Sequence, residues 1–575
     1  MTKNSFRLEW TSIRRILKAE KRDVVIVVIY SVLSSLLGLV VPLSSQAIVN
    51  AVALGVFSQQ LVVLCIIVFS AMLATAVISV FERYVIDMIQ RRMFVTTAFD
   101  IVYRLPHLTQ ASLRDSYGPE LVNRFFDVVT IQKSVGKFLL EGTNAVLVLL
   151  TGLIVLGVYH PFFLLYDLVF MLFLPVLIYG LGRGAIANAI NVSKKKYMAA
   201  AWLEDVARNQ LGFKLTGASP LILDRMDEIS TGYVLSKHKL YLVLARQIFG
   251  SYLFKGFATV GILALGGILV IEQAISLGQL VAAEIIIILI LGAMEKLISQ
   301  FDMYYDLVAA LDKLSTIIEL PLERKNGLPV QDLPTGGTVD VRNVGFSYGE
   351  HEVLKDVTFV VHAGDRISLV GASGAGKSTL AQIMIGLDAP SRGSIEVNGV
   401  DTRVANLHSL RTRVGYVFPE NQIIPGTVLE NITLGRSVSQ DDLQWTLRMA
   451  HLTDSVRELP NGLNTHLTAT GENLSFGMRR RILFARMIMS KPDVLIIDEA
   501  FEGIEDAAKL AMLDDLMAWP HWTIINISHD PEVVHRTSYV HVLQEGRITE
   551  SGTPQELHSK AGTFCSLFPV GGHHG

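Results

Sequence analysis

The sequence predicts a membrane protein of two parts, an all-α domain of six membrane-spanning helices followed by an α/β domain. Three observations carry this. Apolar residues make up 50% of the 575-residue chain, and the mean hydropathy of +0.42 is high for a water-soluble protein. These residues crowd into the segment ahead of Leu320, while the remainder has an ordinary soluble composition. In that remainder, short apolar strands alternate with helices, the pattern of an α/β domain with a largely parallel sheet. The expected boundaries are a membrane domain over 1–320, a linker over 321–337 punctuated by Pro and Gly, and the α/β domain over 338–575.

A bilayer core takes roughly 20 mostly apolar residues per helix. Six stretches qualify, Val24–Leu43, Leu61–Val80, Phe138–Tyr159, Phe162–Leu181, Phe249–Ile271 and Leu277–Ile298. The short connections Val49–Gln60, His160–Pro161 and Glu272–Ser276 hold no Lys or Arg. The long connections are basic, with Arg91, Arg92 and Arg104, then Lys194–Lys196, Lys214, Lys237 and Lys239. The positive-inside tendency therefore puts the N-terminus, both long loops and the α/β domain in the cytoplasm. The expected location is the cytoplasmic (inner) membrane of a bacterium. Helical patterning runs on through the long loops, with turns expected at Ser112–Gly118 and Arg208–Gly217. Residues 1–22 read as a retained cytoplasmic leader, and Gly571–Gly575 as a tail or tag remnant.

Inside the spans, Asp167 and Glu284 are costly if charged, about 3 kcal/mol each at the bilayer centre. They either line a substrate path or are neutralised, hydrogen-bonded structural groups. Glu82, Arg83 and Asp87 fall where the second helix leaves the bilayer, which suits solvated or paired charges. A net charge of -3 gives no reason to expect nucleic acid as a partner. Cys65 and Cys565 form neither a disulfide framework nor a metal site.

The motif with the most chemistry is Gly371-Ala-Ser373-Gly374-Ala375-Gly376-Lys377-Ser378, between the apolar strand Arg366–Val370 and a helix expected over Thr379–Gly386. Its glycines let successive backbone N–H groups turn into one anion-sized nest at the positive end of a helix. Lys377 reaches the outer phosphates of a nucleotide, and the Ser378 hydroxyl suits magnesium. Farther on, Val494-Leu-Ile-Ile-Asp498-Glu499 is a buried strand ending in two carboxylates. Asp498 suits magnesium and Glu499 suits polarising a water for in-line attack on a γ-phosphate. A strand over Trp522–Ser528 ends in His529, placed to contact that phosphate or the water. ATP and Mg2+ are thus the expected ligands, and ATP hydrolysis the expected chemistry.

With these motifs in place, the chain resembles an ABC transporter of the exporter type along nearly its whole length. In that family an aromatic residue ahead of the phosphate loop stacks on adenine, a role that falls to Tyr348 in Gly345-Phe-Ser-Tyr348, with Thr379 also in the ATP-binding set. Leu474-Ser475-Phe476-Gly477-Met478 is similar to the signature that binds the γ-phosphate held by the other subunit. The resemblance implies a head-to-tail dimer of cassettes with two ATP molecules between them, driving export of a substrate. An ATP-gated channel or regulator and a lipid flippase are the alternatives.

Three departures from the family pattern stand out. Phe476 and Met478 replace a glycine and a glutamine of the signature; Pro419 takes the place of a magnesium-binding loop glutamine, with Glu420 or Gln422 as neighbours; and Glu502-Gly-Ile-Glu505 stands where Ser-Ala-Leu-Asp is usual. The nucleotide half keeps its residues while the surface lent to a partner is altered. The expectation is therefore a heterodimer, in preference to a homodimer, in which a second half-transporter supplies the better signature.

Overall fold

The computed structural model describes residues 20–53, 58–114, 118–217, 220–333, 335–418, 422–560 and 562–569. The expected leader before residue 20, the tail, part of the 112–118 turn, and both Pro419 and Glu420 lie outside the described residues. The chain divides into two compact units, Met1–Leu108 with Ser112–Pro321, and Thr109–Ala111 with Leu322–Gly575.

The first unit is helical. Among the described residues, six helical segments are long and apolar enough to cross a membrane, Lys21–Val52, Leu61–His107, Leu121–Tyr159, Pro161–Arg208, Pro220–Ile271 and Leu277–Ile318. At 1.5 Å rise per residue the 52-residue segment is far longer than a bilayer core. The apolar stretches are thus embedded in helices that continue past the membrane. The tight turns have local causes. His160 Nδ1 accepts from Phe162 N at 3.3 Å and Pro161 occupies the first helical position, where its missing N–H costs nothing. Ser276 and Gln279 form a reciprocal capping box at the start of the sixth segment.

Most apolar side chains of the second and fourth segments face outward, as lipid contact requires, whereas Ala282, Ala283, Ile286, Ile287 and Ile290 of the sixth are fully enclosed. Some of the polar groups inside are paired. Glu82 is 1% exposed and accepts from the Ser31 hydroxyl, so it is a buried, hydrogen-bonded group and not a solvated one. Asp87 pairs with Arg91 at 2.6 Å. Asp167 is buried, with Oδ1 unpartnered among the described residues, and Glu284 is half-buried.

The second unit begins with Glu323–Val330 docked on the α/β domain. Arg411 makes two bonds to the Glu323 carboxylate (2.6 and 2.7 Å), Arg324 Nε donates to Ala405 O at 2.9 Å, and Val330 joins the core. The strands are β1 (Val339–Tyr348), β2 (His351–Val361), β3 (Arg366–Val370), β4 (Arg392–Val397), β5 (Val400–Asp401), β6 (Val414–Val417), β7 (Gly426–Thr427), β8 (His466–Leu467), β9 (Val494–Asp498), β10 (Thr523–Ile527), β11 (Tyr539–Gln544) and β12 (Arg547–Gly552). The main sheet has the order β12-β11-β3-β10-β9-β6, parallel from β11 to β6.

The largely parallel expectation holds only for this sheet. β1, β2, β4 and β5 form a separate antiparallel sheet, because β1 turns directly into β2 at Gly349 with no helix long enough for a parallel crossover. β9 and β10 are buried at every position and lie centrally, which brings the ends of β3, β9 and β10 to one edge. Crevices at the C-terminal ends of parallel strands are where such sheets bind ligands.

Candidate functional site

The loop after β3 is shaped by glycine. Gly371 has φ +153°, and a Cβ there would sit 2.1 Å from the Leu543 carbonyl oxygen of β11. Gly376, at φ +104°, caps the helix Lys377–Met384, and a Cβ would meet Leu354 at 2.7 Å. That helix starts two residues earlier than expected, so Lys377, Ser378 and Thr379 all stand in its first turn. Ser373 and Gly374 are exposed on the loop, Ala375 is buried beneath it, and Ser378 faces outward. Tyr348, at the end of β1, reaches this turn, its hydroxyl 3.4 Å from Thr379 Oγ1 and its ring edge-on to Phe346.

Lys377 is buried and its ammonium is fully engaged. It donates to Gly371 O (2.7 Å) and Ala372 O (3.1 Å) and lies 3.3 Å from His529 Nε2. Burial lowers its pKa, and the nearby Glu499 and Asp498 carboxylates oppose that. A charged Lys377 makes His529 Nε2 the acceptor and places the ring proton on Nδ1. The same Nε2 is 3.7 Å from Glu499 Oε1. Lysine, histidine and glutamate thus meet at the ends of three adjacent strands.

Asp498 ends β9 and is buried, with Oδ2 accepting from the Tyr416 hydroxyl at 3.0 Å. Glu499 follows in the left-handed region (φ +50°), unusual for a non-glycine residue and costing about 1 kcal/mol or more. Its N–H donates to Ile527 O at 3.0 Å, which holds the strained turn against β10. A pocket of about 240 Å³ opens beside Glu499 and His529.

Away from this cluster, Ser475 caps the helix Phe476–Ile488, its Oγ accepting from Met478 N at 3.2 Å. Leu474 and Met478 are buried in the core, and Gly477 is half-buried. The Phe476 ring lies over Gly503, where a Cβ would come within 2.3 Å of it, with the Arg480 and Arg479 guanidiniums 5.0 and 5.6 Å from its centre.

Residues 354–502 match the family model described as ABC transporter. The α/β unit therefore holds an ABC transporter domain. The chain is 24% identical over 519 residues to the transport/processing ATP-binding protein ComA of Streptococcus pneumoniae strain R6, covering 89% of this chain and 71% of that protein. To the alpha-hemolysin translocation ATP-binding protein HlyB of Escherichia coli O157:H7 it is 31% identical over 352 residues, 60% of this chain and 50% of that protein. In fold it is similar to a bacterial Atm1-family ABC exporter with ATP bound, with a TM-score of 0.85 at 21% identity over 95% of this chain and 97% of that one. The chain therefore joins a six-helix membrane domain to an ATP-binding cassette with ATPase activity. It is an integral membrane protein with the architecture of an exporter.

Within the cassette, Tyr348, the Gly371–Thr379 loop, Asp498, Glu499 and His529 are brought to one edge of the main sheet. Leu474, Ser475 and Gly477 stand apart at another helix start, and Asp167 and Glu284 belong to the membrane spans. Magnesium fits the donor set. Ser378 and Asp498 offer hard oxygens. That suits an ion bound through one or two protein ligands plus phosphate oxygens and water. Sequence reasoning missed Tyr416. Its place in β6 aligns with Ile496 of β9, and only that register reveals its hydroxyl beside Asp498.

Proposed function

We propose that this chain is one half of a dimeric exporter in a bacterial cytoplasmic membrane, powered by ATP hydrolysis at the site around Lys377. The observation that carries the reading is the meeting of Lys377, His529 and Glu499 within 3.3 and 3.7 Å, next to the glycine-shaped loop and the buried Asp498. Tyr348 stacks on the adenine. The backbone N–H groups from Gly371 to Gly376, at the start of the Lys377–Met384 helix, hold the phosphates. Lys377 exchanges its loop carbonyls for phosphate oxygens, and Ser378 and Asp498 hold Mg2+, which neutralises charge on the phosphates when bound. Glu499 takes a proton from the attacking water, and His529 orients water and phosphate. Tyr416 fixes the Asp498 carboxylate.

The signature surface supports a heterodimer. An ordinary helix N-terminus offers free N–H groups to a phosphate, but Phe476 places a bulky ring at the first position and Ser475 Oγ is engaged by Met478 N. A partner chain with an unobstructed signature completes the Glu499 site, and the site completed by Phe476 turns over more slowly. The test is purification of the chain alone and with candidate partner chains, with mass and ATPase turnover measured for each. A lone chain that forms an ATPase-active homodimer contradicts the heterodimer.

The cargo is a peptide or protein on this reading. ComA and HlyB are described as transport/processing and alpha-hemolysin translocation proteins, and both match this chain across more than its cassette. Stimulation of ATPase by peptides, and not by lipids or hydrophobic drugs, in liposomes checks it.

A further inference from the structure

Asn526 is out of keeping with its surroundings. It lies in β10, whose five residues are all buried, at a central position of the main sheet. It is 0% exposed, and neither its amide oxygen nor its amide nitrogen has a hydrogen-bond partner among the described residues. Side chains alternate along a strand. Ile525 and Ile527 pack into the core on one face, and Ile524 packs into the core on the other. Asn526 shares the face of Ile524. In parallel register it is flanked by Ile497 of β9 and Ser368 of β3.

That face opens onto the pocket of about 240 Å³ lined by Asn526, Ile497, Glu499, Ser528, His529 and Asp530. Its floor is buried, at Asn526 and Ile497, while Glu499 and His529 at its rim are 39% and 45% exposed. A buried amide with free donor and acceptor is nearly always satisfied by water when no protein group reaches it. A pocket of this size has room for several waters, each taking about 30 Å³ and needing two to four polar partners. Asn526, Ser528, His529 and Asp530 supply them among apolar neighbours, in the same pocket as the carboxylate read above as the base.

We propose that Asn526 is a positioning residue for ATP hydrolysis. It orders water in this pocket against Glu499, and that water carries away the proton Glu499 receives. The inference rests on the assignment of Glu499 as the base. The attacking water's oxygen forms a bond to the γ-phosphorus, and the bond from that phosphorus to the bridging oxygen breaks, its electron pair leaving with ADP. One water proton passes to the Glu499 carboxylate. From there it moves along the waters held by Asn526 to bulk solvent, and Glu499 is again unprotonated. Asn526 donates and accepts without itself ionising, so it organises the relay without trapping the proton.

The test uses the full-length chain in nanodiscs, in the dimeric form that hydrolyses ATP, comparing wild type with Asn526→Leu, Asn526→Ser and Glu499→Gln. Leu matches the amide in size and removes both polar groups, whereas Ser keeps a hydroxyl and makes room for a further water. Asn526→Leu is expected to lower kcat about tenfold with KM for ATP unchanged and a larger solvent deuterium isotope effect. Its turnover is also expected to rise with imidazole concentration, as the small buffer replaces the lost proton path, while wild type does not respond. Asn526→Ser is expected to recover most of the wild-type rate, and both variants are expected to bind ATP normally, which reports a folded cassette. Wild-type turnover in Asn526→Leu overturns the proposal, as does a lowered rate with no isotope effect and no response to buffer. Glu499→Gln separates the two ideas, because near wild-type turnover in that variant defeats the base assignment itself, whatever Asn526 does.

Discussion

The ammonium of Lys377 lies 3.3 Å from His529 Nε2, and the same nitrogen is 3.7 Å from the Glu499 carboxylate. One imidazole therefore joins the phosphate loop to the carboxylate at the end of β9. Removing it by His529→Ala leaves Lys377 its two loop carbonyls and takes the imidazole away from Glu499. ATPase turnover is expected to fall about 10²-fold, with ATP affinity changed little. Steady-state ATPase and binding of a fluorescent nucleotide check both halves of this expectation.

Gly371→Ala places a methyl group where the Leu543 carbonyl oxygen lies 2.1 Å away. The obstacle is backbone, so it cannot rotate aside, and φ +153° is disfavoured for alanine as well. The loop must move off β11. Loss of ATP binding with the membrane domain still folded is the expected result, read by nucleotide binding on detergent-purified protein.

Tyr416→Phe removes the hydroxyl that donates to Asp498 Oδ2 at 3.0 Å. A hydrogen bond to a charged group contributes about 1.5–3 kcal/mol. If Asp498 holds the cation, the free Mg2+ concentration needed for half-maximal ATPase shifts several-fold, while Asp498 stays in place. Titrating ATPase against free Mg2+ in wild type and variant measures the shift.

His541, in β11, is buried, and its burial pushes its pKa down to about 4. Its Nδ1 sits 2.8 Å from the Ser551 hydroxyl of β12. A depressed folded-state pKa means that the unfolded chain binds more protons between about pH 6.5 and 4. The contribution of neutral His541 is full above the unfolded pKa and is lost as pH falls towards 4. By pH 5 the loss is on the order of 2 kcal/mol. Hydrogen exchange in the peptide 539–552 is expected to speed up, beyond the intrinsic pH effect, between pH 7 and 5 in wild type, and much less in His541→Asn.

The parts of this molecule that sequence makes legible are those set by local rules. Gly371–Ser378 is recognisable because a phosphate nest needs glycine at fixed places, and Val494–Glu499 because a buried strand must be apolar until its functional end. The membrane spans follow from length and composition. What escapes is set by register and packing. Tyr416 and Asp498 are 82 residues apart and meet only through the β6–β9 pairing. Glu82, read as sitting at the membrane exit, is enclosed against Ser31 because the first and second helices pack together there. The antiparallel sheet of β1, β2, β4 and β5 hides because alternating strands look alike whichever sheet they join. Phe476 was visible as a departure, but its seat over Gly503 was not.

The most direct measurement is ATP turnover and cargo flux by Glu499→Gln in proteoliposomes, beside wild type. With Glu499 as the base, turnover falls by about 10²-fold or more, net transport stops with it, and ATP binding is retained. A Glu499→Gln protein that still hydrolyses ATP at the wild-type rate, or still passes its cargo, contradicts the account.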